Sequence, residues 1–138
     1  MKKVNIYIGI SSRYPRARKR IYGYVLECQI KRVNACSGED LIIRTAEGFG
    51  EEDGTYNMVT LRAMCEALKR INQSCEINMY IDNKYIADMA QKNLTTWISH
   101  GFYKAAGEPI KNQKEWMELY QLMIKHLLTV KCESLLHS

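Results

Sequence analysis

The stretch "CEINMYIDNKYIADM", residues 75–89, decides how this chain is read. Ile77, Met79 and Ile81 alternate with polar or amphipathic neighbours, which is the period of a strand with one buried face. Asp82 follows at once. Beyond it "NKYIADMAQKN", residues 83–93, sets Tyr85, Ile86 and Met89 on one helical face. A carboxylate where a buried strand meets a helix has two uses. It accepts a backbone N–H as an N-cap, worth about 1 kcal/mol, or it projects into a site and holds a metal.

Outward from that junction the pattern alternates between the two periods. Residues 3–11, "KVNIYIGIS", read as a strand with Val4, Ile6, Ile8 and Ile10 on one side and Asn5, Tyr7 and Gly9 on the other. Pro15 and a dense charge make "SRYPRARKR", residues 12–20, a loop. "IYGYVLECQIKRV", residues 21–33, and "LIIRTAEGFG", residues 41–50, give two further strands. Residues 58–71 read as an amphipathic helix carrying Leu61, Met64, Cys65, Leu68 and Ile71 on one stripe. Residues 94–111 look irregular or only briefly helical. Asn112 then reads as an N-cap, with Glu115 three residues on as its capping-box partner. The helix after it carries Trp116, Leu119, Tyr120, Met123 and Leu127, and "HLLTVKCES", residues 126–134, reads as a fifth strand. The order β-β-β-α-β-α-α-β implies an α/β chain, one domain over residues 1–138, with a five-stranded mixed sheet flanked by helices.

Composition agrees with one globular domain: 138 residues, 46% hydrophobic and 25% charged. The net charge of +5 allows a polyanionic partner without demanding one. Cys28, Cys36, Cys65, Cys75 and Cys132 are odd in number and contain no C-x-x-C pair. They read as reduced thiols of a cytoplasmic protein, and none suggests a zinc site. Asn5 and Gly9 interrupt any signal-peptide core, and no apolar run reaches the ~18 residues that span a membrane. His100, His126 and His137 have no sequence partner that suggests nucleophilic catalysis.

Four segments resemble the ribonuclease H family of the bacterial and retroelement kind. "VNIYIGIS" with "YGYVLE" is similar to its first two strands, and "LRAMCEALKRI" to its first helix. "MYIDNKYIADM" resembles its strand-Asp-Ser-x-Tyr-Val segment. "TTWISHGFYKAAGEPIKNQKEWMELYQL" carries Trp97, Pro109, Asn112 and Trp116 in register with the family's pattern. Both tryptophans are expected to pack inside. The family's C-terminal helix finds no counterpart, and its basic handle helix looks absent or shortened.

The resemblance implies four acids that hold two Mg²⁺ ions on the scissile phosphate of an RNA–DNA hybrid. The first acid position is Gly9. The second is Thr60, with Glu66 about 1.7 turns too late. The third is Asp82, the one family acid retained as catalytic carboxylate and metal ligand. The fourth falls in the C-terminal helix, and the family's V-K-G-H loop reads V-K-C-E here, with Cys132 and Glu133. One carboxylate does not hold two dications against their mutual repulsion. The expectation is therefore a ribonuclease H fold without hydrolysis, in which Asp82 caps a helix.

Weak, sequence-independent binding of RNA–DNA hybrid or other nucleic acid is the expected remaining function. Its candidate residues are Arg13, Arg16, Arg18, Lys19 and Arg20 in the basic loop, with Tyr14 to stack. Thr55, Asn57 and Asn112 at helix starts, and Lys84 beside Asp82, complete the set. No cofactor is expected, and Mg²⁺ only with residual activity. Two alternatives stand: a Mg²⁺-dependent ribonuclease H with ligands relocated to Glu133, Glu51, Glu52 or Asp53, and a protein-interaction module or homodimer in which "ESLLHS" helps cover the sheet. The whole is consistent with a cytoplasmic protein of a mobile element or prophage.

Overall fold

The computed structural model describes residues 2–34, 36 and 38–133. Five strands form one sheet in the order β3-β2-β1-β4-β5. They are β1 (Lys2–Ile10), β2 (Arg18–Asn34), β3 (Gly38–Gly54), β4 (Cys75–Ile81) and β5 (Leu127–Cys132). β1, β2 and β3 are antiparallel neighbours, whereas β4 runs parallel to both β1 and β5. The parallel pairs require crossovers, which α1 (Tyr56–Lys69) and the trio α2 (Lys84–Lys92), α3 (Leu94–Ser99) and α4 (Gln113–Met123) supply. The mixed five-stranded sheet expected from the sequence is the one observed.

Period-2 patterning puts Val4, Ile6 and Ile8 of β1 and Cys75, Ile77, Met79 and Ile81 of β4 on the same buried face. Leu61, Met64, Cys65 and Leu68 of α1, Ile86 and Ala87 of α2, and Trp116 and Leu119 of α4 join them in one core. Arg62 and Lys69 of α1 both reach Glu118 of α4, at 2.9 and 2.7 Å, and tie the two helices at the rim. Burial pushes the Cys65 thiol up to about 12, so this cysteine stays a neutral core residue. The opposite face of the sheet carries Tyr7 stacked on Tyr80 at 5.2 Å, and Phe49, which is 81% exposed.

Several boundaries differ from the sequence reading. β2 and β3 each run 17 residues, because Lys19 and Arg20 pair with Asp53 and Glu52 at the open end of the hairpin and Val33 and Asn34 pair with Glu39 and Gly38 at its turn. Tyr22 and Tyr24 lie where a side chain at Gly50 and Gly48 would collide, so the long hairpin needs glycine at both positions. Residues 94–111 are briefly helical, as expected, in the six-residue α3, whose Trp97 packs edge-on against Trp116 at 5.0 Å. Asn112 occupies the N-cap position of α4, as expected, but its side chain does not cap the helix. It sits in the left-handed region at φ 58° and makes no capping hydrogen bond, a conformation asparagine tolerates. Leu127 belongs to β5 and is 63% exposed, not part of the α4 stripe. Most of "ESLLHS", residues 134–138, and with it the proposed cover for the sheet, lies outside the described residues.

His126 links the α4–β5 turn to β4. The Cys75 backbone N–H donates to His126 Nδ1 at 3.1 Å, so the ring must be neutral at that nitrogen. Burial, and then the charge of Lys125, lower its pKa from the usual value. A depressed pKa gives stability that is full above the unfolded value of about 6.5 and is lost as pH falls through the folded one. Urea denaturation is expected to show lower stability at pH 5 than at pH 7. His126→Asn, which offers a non-titrating acceptor, should shrink that drop, and an unchanged drop would remove His126 from the account.

Candidate functional site

The parallel register from Lys2↔Cys75 to Tyr7↔Tyr80, carried two residues further, sets Gly9 beside Asp82 at the ends of β1 and β4. A cleft of about 410 Å³ opens there, lined by Ile8, Gly9, Ile10, Ser11, Ser12, Arg13 and Asp82. A Cβ built on Gly9 would have no atom within 4 Å, so the floor of the cleft is bare backbone.

Asp82 does not cap α2. That role falls to Asn83, whose side chain accepts from the Ile86 N–H at 3.1 Å. Asn83 is buried, and its Nδ2 donates to Asn57 Oδ1 at 2.8 Å and to Thr60 Oγ1 at 3.2 Å. Thr60 in turn donates to the Tyr56 carbonyl at 2.7 Å. The position where the resemblance places a second acid is therefore filled by a neutral, satisfied Asn57–Asn83–Thr60 network. The phenol of Tyr56 has no hydrogen-bond partner among the described residues, and its pKa is raised to about 12 by burial and then by the charge of Asp82.

Released from capping, Asp82 forms an ion pair with Arg13: Nε lies 3.1 Å from Oδ2, with Arg13 53% and Asp82 23% exposed. No other partner of the Arg13 guanidinium occurs among the described residues. This arrangement does not fit a pair of Mg²⁺ ions. Gly9 and Thr60 offer no carboxylate, and the described residues contain no group of three or more His, Cys, Asp or Glu side chains able to hold a metal. Two unit charges about 4 Å apart interact by roughly 4 kcal/mol at an effective dielectric of about 20. A dication at Asp82 would meet twice that repulsion until Arg13 moved away.

The basic loop is not uniformly a surface. Arg20, expected as a phosphate contact, is 1% exposed and cannot be one. Its Nε donates to the Ser12 carbonyl at 3.1 Å and Nη2 to that of Arg16 at 3.0 Å, and the Tyr14 and Gly54 carbonyls accept as well. Arg13 and Arg16 are exposed on the loop that Arg20 holds, and Arg18 and Lys19 are exposed at the start of β2, where Lys19 also faces Glu51 at 3.5 Å. Lys84 is exposed and pairs with Asp88 at 2.9 Å. Thr55 caps α1 by accepting from Met58 at 3.2 Å, whereas Asn57 is committed to Asn83. Thr55, Asn57 and Asn112 therefore do not share one role: one caps, one braces Asn83, and one turns the chain.

Of the relocated ligands, Glu133 comes nearest the site. Its N–H donates to the Ile81 carbonyl at 2.9 Å, which sets it one strand away from Asp82. It acts on Tyr7, whose pKa is raised by burial and then by the charges of Glu27, Tyr80 and Glu133. Glu51 lies opposite Ile21 and Asp53 opposite Lys19, along the β2–β3 hairpin. The pairing between Arg13 and Asp82, and the burial of Arg20, had no signal in the sequence beyond the charge density of the loop.

The sequence profile of the RNase H family matches residues 1–132. Ribonuclease H of Rickettsia massiliae is 36% identical over 86 residues, which cover 62% of this chain and 57% of the relative. Ribonuclease H of Erythrobacter litoralis is 32% identical over 80 residues, covering 58% and 56%. The chain thus matches somewhat more than half the length of these relatives. Among solved structures, LC9-RNase H1, described as a type 1 RNase H with the type 2 active-site motif, superposes with a TM-score of 0.73 at 20% identity, over 96% of this chain and 63% of that one. The foamy viral protease-reverse transcriptase in complex with RNA/DNA hybrid gives 0.67 at 16% identity, over 99% of this chain and 18% of that one. At these identities the structural likeness speaks for the fold.

The two neighbouring residues Asp82 and Asn83 should separate cleanly in urea denaturation. Asn83→Ala removes a cap and a buried network and is expected to cost about 2 kcal/mol. Asp82→Asn loses only a half-exposed ion pair and should cost less than about 1 kcal/mol. Arg20→Met, which strips charged donors from several carbonyls, should cost on the order of 3 kcal/mol and expose residues 12–17 to proteolysis. Equal losses for Asp82→Asn and Asn83→Ala would restore Asp82 as the cap.

Proposed function

The chain belongs to the ribonuclease H family, and on that premise we propose that it is a non-cleaving member that binds RNA–DNA hybrid, or another nucleic acid, without reading its sequence. The observation that carries this reading is the Arg13–Asp82 ion pair at the bare Gly9 backbone. Two-metal hydrolysis needs several carboxylates to neutralise the cations, activate water and stabilise the leaving oxygen. Gly9 and Thr60 supply none, and the one acid at the cleft is already paired. What the site retains is a cationic rim. Arg13 lines the cleft, Arg16 and Arg18 are exposed in the segment that follows it, and the chain as a whole is basic at +5. Phosphate contacts of this kind give affinity without sequence information and weaken steeply with salt.

A second reading has its own observation. Glu133 lies one strand from Asp82, so two carboxylates stand at the same end of the sheet. If Arg13 swings out, that pair suits a single cation better than two, and cleavage would then depend on both acids.

A labelled RNA–DNA hybrid decides between them. With Mg²⁺ or Mn²⁺ the expected result is no cleavage, together with binding that weakens strongly between about 50 and 200 mM salt. Cleavage that is abolished by Asp82→Asn and by Glu133→Gln would establish the second reading and sink the first.

A further inference from the structure

We propose that Arg13 stands in for the divalent cations at this cleft, making it a metal-independent site for a phosphodiester. This rests on the nucleic-acid binding proposed above and says which group makes the contact.

Three features of the cleft support it. First, the guanidinium is a planar fork with five N–H donors, and the Asp82 carboxylate pairs with it at Nε, 3.1 Å away. The Nη1 and Nη2 donors have no partner among the described residues, and the side chain is half exposed, so the free edge is available to an anion. Arginine meets a phosphate with two parallel hydrogen bonds when its fork is held in place. Second, the fork is held. Asp82 pairs with it, and Arg20 fixes the main chain around Arg13 through the Ser12, Tyr14 and Arg16 carbonyls. Less side-chain freedom is lost on binding when the geometry is set beforehand. Third, the wall opposite is open. Gly9 has no side chain and nothing within 4 Å of where a Cβ would stand, and the cleft holds about 410 Å³. A phosphate group can approach the guanidinium over bare backbone.

The sign of Asp82 distinguishes this site from a metal site. In a cation site Asp82 attracts the ion that bridges to the phosphate, and neutralising it weakens binding. In an arginine site Asp82 orients the guanidinium but competes with the phosphate for its charge, and neutralising it leaves binding intact or tightens it.

The test is fluorescence anisotropy of a short labelled RNA–DNA hybrid with the whole chain, in EDTA and in Mg²⁺. The expected results are equal affinity in EDTA and Mg²⁺, and a roughly tenfold loss for Arg13→Gln with a salt slope smaller by about one. Arg13→Lys, which keeps the charge without the fork, should be intermediate, and Asp82→Asn should bind as well as the parent or better. Binding that requires Mg²⁺, or that falls with Asp82→Asn, would overturn the proposal in favour of a cation site. Hybrid binding unchanged by Arg13→Gln would also overturn it while leaving the proposed function standing. Absence of any hybrid binding by the parent chain would take down both.

Discussion

The parallel pairing of β1 with β4 is the constraint from which the rest of the molecule follows. Parallel strands cannot be joined by a tight turn, so the chain between them must leave the sheet and return. β2 and β3 leave as a hairpin on the far edge of β1, and α1 brings the chain back over the buried face. That route puts Leu61, Met64 and Leu68 in one core with Ile6, Ile8, Ile77 and Met79. The same register stacks Tyr7 on Tyr80 across the other face and brings the ends of both strands together at Gly9 and Asp82. A shift of one residue would reverse every side chain of a strand between the faces, so core and cleft are specified together.

A second constraint is a charge placed inside. Arg20 is among the largest fully buried side chains, and it replaces the hydrogen bonds that an irregular loop of this kind lacks. A loop has no ladder to satisfy its carbonyls, and Ser12, Tyr14, Arg16 and Gly54 direct theirs to one guanidinium. The loop therefore keeps one shape without a core of its own. Its other basic residues are displayed on the outside because this one is not.

The strands and the long helix were legible in the sequence because their burial is periodic. Val4, Ile6 and Ile8 recur every second residue, and Leu61, Met64, Cys65 and Leu68 follow the helical stripe. The family resemblance added topology and set Gly9, Thr60 and Asp82 at the positions of the acids. Hydrogen-bond choices were less legible, because they depend on geometry rather than residue type. Asp82 and Asn83 are both good N-cap residues, and only the position of the turn gives the role to Asn83. Asn112 is both a good cap and a good left-handed residue, and the turn uses the second property. Arg20 reads as surface because arginine is rarely buried without partners, and its partners here are backbone carbonyls that a sequence does not display. Short α3 carries Thr95 and Thr96 and ends before Gly101, so its local preference is weak and the Trp97–Trp116 contact supports it instead.

The cleft also bears on stability. Carboxylates gathered for a metal pair repel one another whenever the metals are away, and folding must sustain that strain. Here Gly9 adds no charge, Thr60 joins a neutral network with Asn57 and Asn83, and Asp82 faces a guanidinium. Each of the three positions is neutral or paired within the chain. The Gly9 position opens onto free space, so the missing side chain leaves no packing defect. These positions lie at strand and helix ends and do not build the core, so the residues that occupy them leave the packing intact. What changes is the charge presented to a ligand: a cationic fork where the family resemblance implies a cluster of anions.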